Sequence, residues 1–252
     1  MTARSETIQI EIDDERMNGT FLSPKSKVPG VLFVHGWGGS QERDLERAKG
    51  IAGLGCVCLT FDLRGHTGGA GIPLARVTRE DNLRDLLAAY DRLLAHPALD
   101  TSAIAVVGTS YGGYLASILT SLRPVRWLAL RVPALYRDEQ WHTPKRDLDK
   151  TDLLDYRSTL VHAGTNRALH ACSQFTGDVL LVESETDAYV PHATIMSYRA
   201  ACQQTHSLTH RIIDGADHAL SDPVPQQAYT SILVGWITEM VVGERLSIIQ
   251  ER

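Results

Sequence analysis

The pentapeptide Gly108-Thr109-Ser110-Tyr111-Gly112 follows a short apolar run and precedes a helix-forming stretch. A serine on a tight strand-to-helix turn is lifted above the sheet edge, and the start of the helix points at it. Bulky side chains two residues to either side would clash with such a turn, which accounts for the glycines. A serine hydroxyl is a poor nucleophile at neutral pH, so it needs a base, and the base needs an orienting acid. His218, five residues past Ile213, is the expected base, and Asp187, five past Val182, is the expected acid. Glu183, Glu185 and Asp217 are the competing acids. Attack by such a serine on a carbonyl generates a negative oxygen, which backbone N–H groups stabilise best. The N–H of Tyr111, next after the serine, is one expected donor. Trp37 in His35-Gly36-Trp37-Gly38-Gly39 is the other, with Gly36 or Gly38 as alternatives, because glycines let that backbone approach a substrate. His35 itself is expected to serve as a structural hydrogen-bonder.

These residues need a scaffold, and the hydrophobic pattern describes one. Residues 7–12 and 17–22 alternate in polarity around an acidic turn, as in a hairpin. Short continuous apolar runs at 30–34, 56–61, 103–107, 125–131, 178–182 and 209–213 suit strands, most of them of the kind buried on both faces of a parallel sheet. Helical stretches are expected at 42–52, from a cap at Thr78 with Asp81 three residues on, after Ser110, at 191–204 and at 226–242. Strand and helix alternate with no break in composition, so the chain reads as one α/β domain, residues 1–252, around a mostly parallel sheet. Every candidate for chemistry then falls just past the carboxyl end of a strand, where open parallel sheets place their sites. Residues 132–176 break the rhythm and read as an insertion over one end of the sheet. Its aromatics, Tyr136 and Trp141 among them, are expected with Tyr189 to line a substrate pocket.

With these motifs in hand, the chain resembles an α/β-hydrolase. The matching pieces are His35-Gly36-Trp37-Gly38-Gly39, Phe61-Asp62-Leu63-Arg64-Gly65-His66, Gly108-Thr109-Ser110-Tyr111-Gly112-Gly113, the Asp187 loop and Gly215-Ala216-Asp217-His218. Ser-Tyr-Gly-Gly and the compact size resemble the dienelactone-hydrolase and prolyl-oligopeptidase-like branch. Where dienelactone hydrolases proper carry a cysteine nucleophile, this chain has Ser110. The resemblance implies an eight-stranded, mostly parallel sheet flanked by helices, with 132–176 as a small lid insertion after the sixth strand. It implies Ser110, Asp187 and His218 as a catalytic triad that forms an acyl-enzyme. The expected reaction is hydrolysis of carboxylic esters with small or medium acyl groups. A peptidase with the same triad is the nearest alternative, and it would want an anchor for the peptide terminus such as Glu183, Glu185 or Arg76. A non-catalytic binding protein on this fold would have no use for triad and oxyanion loop together.

Composition narrows the field. The chain has 252 residues and a net charge of −5, with no long block of like charge, which argues against a nucleic-acid-binding surface. No apolar run approaches the length needed to span a bilayer, and the start lacks the features of a secretory signal, so a cytoplasmic location is expected. Cys56, Cys58, Cys172 and Cys202 read as buried, reduced thiols. His162, His170 and Cys172 are conceivable metal ligands, but two histidines eight apart in a polar helical stretch read as a solvated face, and Gly65–Gly71 lacks the Lys-Ser/Thr of a phosphate loop. The expected partner is a small-molecule ester, with no cofactor, metal, nucleic acid or membrane, and with a homodimer as one compatible assembly.

Overall fold

The computed structural model describes residues 4–12, 15–23, 28–66 and 73–250. Most of the glycine-rich loop before Gly71 therefore lies outside the described residues. Eight strands form one sheet: β1 (Arg4–Ile12), β2 (Glu15–Ser23), β3 (Val28–Val34), β4 (Val57–Phe61), β5 (Leu99–Thr109), β6 (Trp127–Arg131), β7 (Asp178–Ser184) and β8 (Ser207–Ile213). Their spatial order is β1-β2-β4-β3-β5-β6-β7-β8. The β1–β2 and β2–β4 pairs are antiparallel, and every pair from β4 through β8 is parallel. The expected mostly parallel sheet is present, and the hairpin forms its antiparallel edge.

Among the described residues, seven α-helices flank the sheet: α1 (Glu42–Gly53), α2 (Arg79–Leu94), α3 (Tyr111–Leu119), α4 (Lys150–Arg157), α5 (Arg167–Gln174), α6 (His192–Ala201) and α7 (Pro223–Gln250). One core layer joins the sheet to α2, α3, α5 and α6, and the second joins its other face to α1 and α7. Strands β3, β4 and β6 are buried along their whole length, which is why their sequences run apolar without alternation. Helix α2 begins where expected: Thr78 Oγ1 accepts from the Asp81 N–H at 3.1 Å, and the Asp81 carboxylate accepts from the Thr78 N–H at 2.9 Å. Residues 132–176 contain α4 and α5 and pack into the first core layer through Leu135, Leu148, Leu169 and Cys172. All four cysteines are buried, and none forms a disulfide.

The chain order reverses across β3 and β5, which lie side by side while their connections run in opposite directions. A crevice opens at such a switch point, outside the carboxyl ends of the strands. Trp37 follows β3 there and Ser110 follows β5. The end of β3 and the Ser110 turn approach so closely that a Cβ on Gly112 would stand 2.1 Å from the Val34 carbonyl oxygen, and within the turn one on Gly108 would stand 2.6 Å from the Gly112 carbonyl oxygen. Both contacts are with backbone, so neither can yield by rotation of a side chain. Replacing Gly112 with Ala should therefore lower stability by at least about 3 kcal/mol, at the upper end of overpacking costs. Urea unfolding measures this, and a loss below about 1 kcal/mol would mean that the loops are not packed as described.

Candidate active site

Ser110 sits between β5 and α3 at φ 53°, a left-handed conformation uncommon for a residue with a side chain. Three backbone hydrogen bonds hold it there. Its N–H donates to the Arg131 carbonyl at 2.9 Å, and its own carbonyl accepts from Tyr114 at 3.1 Å and Ala134 at 3.0 Å. The next residue, Tyr111, opens α3, and its fully buried ring donates its hydroxyl to Asn82 Oδ1 at 3.1 Å. Among the described residues, neither the Tyr111 N–H nor the Trp37 N–H donates to another group.

The loop after β3 is braced by His35. Its Nε2 accepts from the Leu63 N–H at 3.1 Å, so Nδ1 carries the proton and donates to the Gly36 carbonyl at 2.8 Å. Burial pushes the His35 pKa down to about 4, so the ring is neutral. The same carbonyl accepts from the Gly39 N–H at 3.0 Å, which closes the turn around Trp37. His66 packs edge-on against both His35 and Trp37, and burial, aided by His35, lowers its pKa to about 4 as well. His35 thus has the structural role expected of it.

Asp187 and His218 come from loops after β7 and β8. His218 Nδ1 lies 2.6 Å from Asp187 Oδ2. The second oxygen of Asp187 accepts the N–H groups of Tyr189 and Val190, each at 2.8 Å, and the carboxylate is almost completely buried. The competing acids are engaged elsewhere. Glu185 accepts from the Gly215 N–H, Glu183 meets His192 and His210, and Asp217 caps Ser221. Ser110, His218 and the Trp37 loop line one open cleft of about 420 Å³. A nucleophile, an imidazole backed by a carboxylate, and two N–H groups are the set that acyl transfer needs.

The pocket expected from the aromatics is corrected. Tyr136 is 1% exposed and packs edge-on against Tyr111 and Tyr114, while the Trp141 indole donates to Glu80 and is covered by Arg167. Neither lines the cleft, because both serve as core that fastens residues 132–176 to the body. Tyr189 is 66% exposed, and its ring lies 5.2 Å from that of His218.

What the sequence reading missed is the cationic lining. Arg43, Arg47 and Arg131 face the cleft, with Asp44 as the acid among them. Arg131 is 5% exposed and donates to the His218 carbonyl at 2.8 Å and to Ser184 Oγ at 3.3 Å. A charged residue ending a buried strand was the available signal for Arg131; the two arginines of α1 carried none. Among the described residues, no group of three or more His, Cys, Asp or Glu side chains could hold a metal ion, and no helix is long and apolar enough to cross a membrane.

Comparisons with known proteins agree with this geometry. Residues 44–243 match the model of the prolyl oligopeptidase family, so the chain belongs to that family. It is similar to the acylaminoacyl peptidase of Pyrococcus horikoshii, with TM-score 0.71 and 15% identity over 94% of this chain, and it spans 41% of that protein's chain. It is similar to Est1E of Butyrivibrio proteoclasticus with ferulic acid bound, with TM-score 0.73 and 19% identity over 93% of this chain and 99% of the other. The dienelactone hydrolase of Anabaena variabilis gives TM-score 0.65 and 18% identity over 95% and 99% of the two chains. These likenesses place the fold among α/β-hydrolases.

The two neutral histidines make the fold sensitive to acid. Each has its folded pKa lowered to about 4 from 6.5, so between those values the unfolded chain binds more protons than the folded one. Their contribution is complete above about pH 6.5 and is lost as pH falls toward 4. Urea unfolding followed from pH 7 to 4.5 should show this decline. His66→Gln should reduce proton uptake on unfolding near pH 5 by close to one, and an unchanged slope would show that His66 titrates normally in the fold.

Proposed function

We propose that this member of the prolyl oligopeptidase family is a carboxylesterase that works through an acyl-enzyme on Ser110. The observation that carries the reading is the 2.6 Å bond between His218 and Asp187, in a loop whose histidine shares a cleft with Ser110 at its strained turn. In this scheme His218 Nε2 takes the Ser110 proton as the serine oxygen attacks the ester carbonyl. The electron pair of the carbonyl moves onto its oxygen, which the N–H groups of Tyr111 and Trp37 receive. His218 returns the proton to the departing alkoxide, and water then repeats the sequence to release the acid. Asp187 keeps the imidazole in the productive tautomer and stabilises its cation.

The family match favours a second reading, cleavage of an amide by the same groups. The lining of the cleft weighs against peptidases that grip a free amino terminus. Glu183 and Glu185 are bonded to other groups, and the charged side chains facing the cleft are three arginines and Asp44. Soluble cytoplasmic action on small or medium acyl esters, as monomer or homodimer, completes the proposal.

The test is a pair of substrates, a short-chain nitrophenyl ester and an aminoacyl nitroanilide, assayed with wild type and variants. Ester turnover should fall at least about 10³-fold in Ser110→Ala and His218→Ala, since members of such a unit fail together. Asp187→Asn should fall comparably, because Glu185 is committed to Gly215 and cannot replace it. Ester turnover that survives in Ser110→Ala would sink the nucleophile assignment, and efficient anilide cleavage would move the reading to a peptidase.

A further inference from the structure

A second cavity, of about 570 Å³, shares Trp37 as a wall with the cleft that holds Ser110 and His218. Leu148 and Leu153 give it an apolar wall, and its charged groups among the described residues are Lys145, Arg146 and Lys150. No described carboxylate lines it, and residues 67–72, which precede its Leu74 wall in sequence, carry no charged side chain. The Lys145 ammonium stands 4.4 Å above the Trp37 ring and 5.9 Å from the centroids of both Tyr111 and Tyr136. It has no hydrogen-bond acceptor or ion-pair partner among the described residues. Its charged neighbours are Arg79 on α2 and Arg157 and Lys150 on α4, and the neutral His66 after β4 is the other titratable group that faces it. A cation held on aromatic faces, ringed by groups of its own sign, lacks the anion that would compensate it.

We propose that Lys145 recognises a carboxylate on the acyl portion of the substrate, so that the favoured esters are half-esters of dicarboxylic acids. The inference rests on the acyl-enzyme reading of Ser110. His218 must protonate the leaving oxygen, so the leaving group occupies the cleft on its side, and the acyl chain runs past Trp37 toward Lys145. An apolar cavity with a cation at its wall fits a methylene chain ending in a carboxylate. The chain as a whole carries a net charge of −5, so the cationic character of both cavities is local and opposite to that of the molecule. Burial, with Arg157, Arg79 and Lys150, lowers the Lys145 pKa to about 7, so selectivity for an anion is strongest below that value and fades above it.

The test compares the mono-4-nitrophenyl ester of adipic acid with 4-nitrophenyl hexanoate, which matches it in length and lacks the charge. At pH 6 wild type should favour the adipate ester about tenfold in kcat/KM, chiefly through KM, as one charge-assisted hydrogen bond provides. Lys145→Met should abolish that preference while leaving hexanoate within about twofold, and Lys145→Arg should keep most of it. The preference should shrink between pH 6 and pH 8 in wild type but not in Lys145→Arg. Lys145→Met should also raise Tm at pH 6 by about 2 °C or more, because the buried charge is removed. Equal loss on both esters, or no preference in wild type, would overturn the proposal while leaving the hydrolase reading intact. A binding arm separates the two ideas. Monomethyl adipate, but not methyl hexanoate, should change the tryptophan fluorescence of Ser110→Ala, and Lys145→Met in that background should remove the response. Binding without turnover by the wild type would keep the anion site and defeat the hydrolase, whereas silence in both arms would defeat the anion site.

Discussion

Everything at this site is indexed from the backbone of Ser110. Its φ of 53° is an unfavourable conformation that persists because three neighbours over-determine it. One is β6, whose last residue accepts the Ser110 N–H, and which continues into Val132 at φ 40°. A β-branched residue there is strained in its own right, so two costly conformations sit side by side where β5 and β6 end. The same knot fixes Arg131, and the Arg131 guanidinium holds the His218 carbonyl. The loop carrying the imidazole is therefore tied to the turn carrying the serine through one buried side chain. The Asp187 loop is tied in turn through the imidazole itself.

The other half of the site depends on charge being absent or balanced. His35 can accept from Leu63 and donate to Gly36 only while its ring is neutral, and burial keeps it so. Arg64, from the loop after β4, is paired with the buried Asp85 at 2.5 Å. Asn82 links that pair to the Tyr111 hydroxyl. Hydrogen bonds in such a low-dielectric setting reinforce one another, and a missing member would expose the rest to the full cost of burial. The loop after β3 and the start of α3 are thus held by polar networks with few alternative arrangements.

The strands were legible because the sheet is buried on both faces, leaving uninterrupted apolar runs, and the site followed because loops at strand ends have few places to go. Ser110, Asp187 and His218 were candidates from the turn glycines, the distance past each strand and the family resemblance; the fold brings His218 against Asp187 and into one cleft with Ser110. Residues 132–176 were not legible in this way. Whether Tyr136 or Trp141 faces substrate or core depends on where α3 and α5 meet, and no periodicity in the sequence encodes that. Arg131 was visible as a charge closing an apolar strand. Lys145 was invisible, because its surroundings are assembled from Trp37, Tyr111 and Tyr136, which are distant in sequence.

The lysine belongs to the same energetic pattern as the serine. A solvated lysine loses nothing on folding, whereas one pressed into aromatic rings among other cations destabilises the fold wherever it stays protonated. A methionine of similar length would pack there without that cost. Strain at Ser110 and the uncompensated cation at Lys145 lie at two cavities that share Trp37, against a core that is mostly apolar. Two large core layers supply enough stability to hold these unfavourable groups in place.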